Sequence, residues 1–136
     1  VYKRQIYYLA IFIASLYFGN YYTLKHYKNQ NFYSAVGASG AVSGIVYSSI
    51  LLFPEMKLVF IFFPIPLPSY IFGVGYILYS IYGMKKDNDN IGHTAHLGGA
   101  ISGTLITILI EPSIIVNQTW LVVLLISPFL FLYKRK

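Results

Sequence analysis

Five continuous apolar runs, at residues 5–22, 39–53, 67–84, 94–110 and 116–133, alternate with short polar connectors. Each is near the ~17–25 residues that a helix needs to cross ~30 Å of hydrocarbon. None shows the apolar-polar alternation of barrel strands, so the pattern predicts an all-α, polytopic transmembrane helical bundle. The connectors carry turn chemistry. Residues 23–36 are polar and aromatic, Pro54 closes the second run, and Pro64, Pro66 and Pro68 impose an extended approach to the third. Lys85-Lys86-Asp87-Asn88-Asp89-Asn90 is the most hydrophilic stretch and predicts a solvated loop. No internal repeat or low-complexity tract interrupts the scheme.

Composition agrees with a lipid solvent, since 57% of the residues are hydrophobic and only 10% are charged. The formal charge of +6 suggests nucleic acid until its placement is read. Lys3, Arg4, Lys25, Lys28, Lys85, Lys86, Lys134, Arg135 and Lys136 all flank apolar runs, as membrane-edge charges do. The expected partner is therefore the bilayer and not nucleic acid. With no cysteine, disulfides, thiolate metal sites and a cysteine nucleophile are excluded. Val1 in place of methionine suggests a sequence beginning inside a longer protein, and the first run reads as a span, not a signal peptide.

Two motifs open the second and fourth runs: Gly37-Ala38-Ser39-Gly40-Ala41 and His93-Thr94-Ala95-His96-Leu97-Gly98-Gly99. Two crossings separate these runs, so they point the same way and put Ser39 and His96 at similar depth. Gly40 with Gly44, and Gly99 with Gly103, give each helix small residues at four-residue spacing, which permits close backbone approach. That arrangement suits a serine nucleophile whose proton passes to a histidine base. The backbone N–H groups of Ser39 and Gly40, at a helix start, would serve an oxyanion.

Each motif also has a plainer explanation. A Gly-x-Ser-Gly in an apolar helix commonly serves packing, with its hydroxyl bonded to the preceding turn. His93, at a loop boundary, reads as a solvated or capping residue. Two imidazoles without a third ligand make a poor metal site, so neither metal nor cofactor is expected. A zinc protease lacks its His-Glu-x-x-His, an aspartyl protease is confined to Asp87 and Asp89 in a polar loop, and Ala41 breaks a soluble hydrolase elbow.

Together with Phe53-Pro54, Phe63-Pro64-Ile65-Pro66 and Gly103, the two motifs resemble the rhomboid family of intramembrane serine proteases in order and spacing. The resemblance covers about residues 5–110, with 111–136 as a C-terminal extension of a single, partial domain. It implies core helices three to six of a six-helix fold, without the first two in this sequence. It implies Ser39 as nucleophile and His96 as general base, supported by Gly37 and Gly40, with Gly99 and Gly103 at the helix contact. Residues 85–92 would cap the site, and the 67–84 helix would be the gate for transmembrane protein substrates.

Two departures stand out. The family's His-x-x-x-Asn oxyanion pattern does not precede Ser39, and Ser43 stands where many rhomboids place an aromatic ring against the imidazole. Either the floor of the site is less rigid there, or another tyrosine supplies the ring. The alternative to a protease is a non-catalytic rhomboid-like subunit that binds or assembles membrane proteins. A small transporter or channel would carry more intramembrane polar groups than Ser39, Ser43 and His96. A bacterial plasma membrane or a mitochondrial inner membrane would suit the family.

Overall fold

The computed structural model describes residues 2–34, 37–86 and 88–133. Asp87 and the terminal Lys134, Arg135 and Lys136 lie outside the described residues, so the charges expected there have no structural counterpart below. The chain forms α1 (Tyr2–His26), α2 (Ser39–Leu52), a hairpin of β1 (Lys57–Phe60) and β2 (Phe63–Pro68), then α3 (Ser69–Lys86) and α4 (His93–Ile110). A broken tail follows: α5 (Ser113–Asn117), α6 (Thr119–Ile126), a 3-10 turn at Ser127–Phe129 and α7 (Leu130–Tyr133).

Three features differ from the sequence expectation. The chain is not purely α-helical: the segment with Pro64, Pro66 and Pro68 forms an antiparallel strand that pairs Lys57 with Pro68, Leu58 with Leu67 and Phe60 with Phe63. Alternate prolines exclude a helix but are tolerated in a two-stranded ribbon, where each strand keeps a free edge. The last run is also discontinuous. Helix geometry is interrupted at Gln118 and tightens to 3-10 at Pro128, which lacks the N–H that a regular helix needs.

The third difference concerns spans. Among the described residues, only His93–Ile110 is both long and apolar enough to cross a membrane. α1 has the length but carries Lys3, Arg4, Gln5 and Asn20, whereas α2 is apolar with only 14 residues, about 21 Å of helix. The five-span bundle is therefore not established by length and composition.

α4 is the centre of the bundle because its small residues admit neighbouring backbones. A Cβ built on Gly99 would fall on the carbonyl of Gly40, and one on Gly103 on the carbonyl of Gly44. Residue numbers rise together along this contact, so α2 and α4 run parallel. α1 packs antiparallel to α4: a Cβ on Gly98 would lie 2.9 Å from Gly19 Cα, and the Thr23 and Thr94 hydroxyls are 2.9 Å apart. Gly44 also abuts the Ser15 side chain of α1, so three helices meet there, α1 through a serine. The apolar core lies beside this contact, where Tyr47, Ile50 and Leu51 of α2 meet Ile77 and Ile81 of α3 and Leu121 and Leu125 of α6. The Tyr47 hydroxyl is buried in it and donates to the Gly73 carbonyl.

Gly99→Ala is expected to force α2 and α4 apart and to cost ~1–3 kcal/mol, the usual range for overpacking. Gly75→Ala, whose Cβ would meet nothing within 4 Å, should leave stability unchanged or raise it. Thermal unfolding of the two variants in detergent micelles checks the contrast.

Candidate active site

Ser39 is the first residue of α2, and the chain turns into it through Gly37, whose φ of +138° is rarely adopted by residues with a side chain. The first helical bond in this turn runs from Val42 N–H to Ala38 O, at 3.1 Å. The N–H groups of Ser39, Gly40 and Ala41 therefore have no acceptor within the helix. No side chain caps this end. Ser39 is exposed to a cavity of about 810 Å³, lined by carboxamides and other polar groups that include Asn20, Gln30, Asn31, Asp89 and Asn90.

His96 lies in the first turn of α4 and is 9% exposed. Helix packing sets its level relative to Ser39, because a Cβ on Gly40 would lie 2.8 Å from the carbonyl of Ala95. The residue after Ser39 thus touches the residue before His96. The structure brings Ser39, Gly40, His96 and Gly99 together at one end of the α2/α4 contact, with Gly103 one turn further along. It does not join the dyad: among the described residues, no hydrogen bond links Ser39 Oγ to either imidazole nitrogen. Catalytic hydrogen bonds are commonly long before substrate binds.

The imidazole is held from α3. Tyr76 Oη lies 2.8 Å from His96 Nδ1, and the two rings are 5.5 Å apart at 30°. A tyrosine from another helix thus supplies the ring that position 43 lacks. Ser43 itself bonds back to the preceding turn, donating to the Ser39 carbonyl at 2.9 Å.

His93 is not a solvated residue. It is 3% exposed, seated on Gly83 of α3, where any Cβ would overlap its ring, and edge-on to Tyr79 at 5.1 Å. Its Nε2 meets both carboxylate oxygens of Asp89 at 3.1 Å. That bond holds the Asp89 carboxyl below the ordinary aspartate range. A turn in the loop before α4 makes the pair: Asp89 Oδ1 also accepts from the Ile91 N–H at 3.2 Å, and the His93 N–H donates to the Ile91 carbonyl at 2.8 Å. Sequence reasoning missed Tyr76, Asn20 and the His93–Asp89 contact. The loop position of Asp89 gives no local signal for the last, and Tyr76 offers none, since fourteen tyrosines compete for the role. Among the described residues, no three His, Cys, Asp or Glu side chains gather to hold a metal ion.

The sequence pattern of the Rhomboid domain matches residues 3–113. The chain belongs to the rhomboid family. It is 43% identical over 65 residues to the RHOMBOID-like protein 12, mitochondrial, of Arabidopsis thaliana, a match covering 48% of this chain and 19% of that protein. Over 71 residues it is 30% identical to the Rhomboid protein 1, mitochondrial, of Saccharomyces cerevisiae, covering 52% of this chain and 20% of that one. The matches therefore span about a fifth of the length of these rhomboid relatives. No solved structure matches the chain.

Because the Asp89 carboxylate is favoured by His93, its contact is present above the ordinary aspartate pKa and is lost as pH falls through the lowered folded value. A ¹³C-carboxyl NMR titration should give Asp89 a midpoint below the 3.8 of a free aspartate, and His93→Ala should bring it back up.

Proposed function

We propose that this chain is the site-bearing part of an intramembrane serine protease, which cleaves peptide bonds in or beside transmembrane segments of other proteins. The observation that carries this reading is the contact of Gly40 with Ala95. It sets a cavity-facing serine and a buried histidine at the same level on parallel helices. Ser39 Oγ attacks the carbonyl carbon as its proton moves to His96 Nε2, forming the Oγ–C bond. The oxyanion is received by the free N–H groups of Ser39 and Gly40 at the start of α2. As the C–N bond breaks, His96 gives its proton to the leaving amine, and water then hydrolyses the acyl-enzyme by the same base. The polar cavity above Ser39 supplies that water. Neither metal nor cofactor enters the scheme.

The bilayer reading draws support from the apolar surface beyond α4. On α1, Ile6, Ile13, Tyr17 and Leu24 are each more than 60% exposed, a patch suited to lipid or to other helices. We infer that α1, α2 and α3 lie in the membrane beside α4 as a polytopic bundle, short helices included. The rhomboid relatives are both named as mitochondrial, which favours a mitochondrial membrane over the bacterial plasma membrane.

A second reading has its own observation. The open Ser39–His96 pair favours a non-catalytic rhomboid that binds transmembrane helices without cutting them. In the protein carrying this domain, Ser39→Ala or His96→Ala should reduce cleavage of a transmembrane reporter by at least ~10³-fold. A fluorophosphonate should label Ser39 and not Ser43 or Ser102. Unlabelled Ser39 with an intact reporter bound to the protein supports the non-catalytic reading.

A further inference from the structure

We propose that the β1–β2 hairpin is a lipid anchor: its tip, Ile61-Phe62, inserts into the membrane leaflet opposite the cavity that Ser39 faces, and so holds the start of α3 in place. The inference goes beyond the protease reading and rests only on the placement of α3 and α4 in the bilayer. Ser39 opens α2 and the hairpin follows its other end, after Leu52, so the two lie at opposite ends of the bundle.

The turn is the first observation. A two-residue hairpin turn in water is usually built from Asn, Asp or Gly, whose backbones accept its geometry and which place no apolar group in solvent. Here the two turn residues are isoleucine and phenylalanine, 93% and 99% exposed. With Val59, Phe63 and Ile65, each more than half exposed, they form one apolar patch that the described residues leave open.

Charge and backbone chemistry say what covers it. No Asp, Glu, Lys, Arg or His stands between Lys57 and Lys85. Glu55 and Lys57 are exposed at the base of the hairpin, and Lys3 and Arg4 open α1, which runs antiparallel to α4 and begins at the same end. The charges thus collect at the base and the tip is bare, as in a segment that dips from headgroups into hydrocarbon. A strand from another protein would pair poorly along β2, because Pro64, Pro66 and Pro68, half of its six residues, have no N–H. The same prolines remove donors that hydrocarbon could not satisfy.

The hairpin is tied to the helix it leads into. The N–H of Ser69, first in α3, donates to the Met56 carbonyl at 2.9 Å, and the Phe60 ring lies 5.7 Å from that of Phe72. Phe72 stacks on Tyr76 at 5.6 Å, and Tyr76 meets His96. A hairpin fixed in lipid therefore sets the level of the helix whose ring lies on the histidine.

The test reconstitutes the chain in phosphatidylcholine vesicles. Trp120→Phe, which keeps a ring against Tyr70, removes its single tryptophan; Phe62→Trp then puts a probe at the tip, and Asn88→Trp puts one in the loop at the cavity end. Acyl-chain-brominated lipid should quench the Phe62→Trp probe at least about twofold and leave the Asn88→Trp probe bright, whereas acrylamide in the water should do the reverse. A Phe62→Trp probe quenched by acrylamide overturns the proposal, and one reached by neither quencher overturns it in favour of a protein partner, a second copy included. Ile61→Asp combined with Phe62→Asp disturbs no internal packing, since both side chains are almost fully exposed, so it should lower the thermal unfolding midpoint in vesicles through the lipid alone. An unchanged midpoint overturns the anchor. Failure of the bilayer reading looks different: alkaline carbonate then strips the chain from the vesicles, whichever probe it carries.

Discussion

Backbone contact between α2 and α4 is the constraint on which the site depends. Two helices with ordinary side chains between them pack at 8–10 Å. Here Gly40 and Gly44 meet Gly99 and Gly103 carbonyl against Cα, so the distance is set by main-chain atoms alone. Such a contact has no rotamers and little freedom to relax. Membrane helices lack a strong hydrophobic drive to associate, and small residues that allow close packing substitute for it. The same contact explains why Ser15 of α1 reaches Gly44, and why polar hydroxyls can line a helical interface.

Around this rigid pair, polar groups are arranged at two levels. At the level of His96, Tyr76 meets the imidazole at Nδ1. One turn toward the loop, His93 and Asp89 tie the start of α4 to the wall of the cavity that Ser39 faces. Both levels involve α3, through Tyr76 in one case and Gly83 in the other. α3 therefore affects the site without contributing a reacting group.

Much of this was legible in the residues. Glycine spacing announces close helix contact, because only a missing side chain permits it, and Ser39 and His96 each stand beside such glycines. The proline triplet announced extended chain, although a paired strand needs Lys57–Phe60 as a partner, and nothing local in that segment marks it as one. Apolar runs alone did not decide the number of membrane spans: α1 is diluted by its tyrosines, Gln5 and Asn20 even between its charged ends, and α2 stops at Leu52. His93 was misjudged since burial depends on what lies opposite, and the seat for its ring is a glycine ten residues earlier on another helix. Tyr76 is the same kind of case. Its role comes from the crossing of α3 over α4, a tertiary fact with no local trace.

The way α3 is fastened limits how it can move. Near one end, the Tyr47 phenol grips the Gly73 carbonyl, and ten residues on, about 15 Å along the axis, Gly83 rests on the His93 ring. A rod pinned at two points can roll about the line joining them, but it cannot slide or lift away with both pins in place. The pins are unequal. The first is deep in the apolar core, while the second depends on a ring held by a carboxylate at the cavity rim. Any outward swing of α3 thus pivots about Tyr47 and opens first at the His93 end, like a door hung on its inner post with the latch beside Ser39.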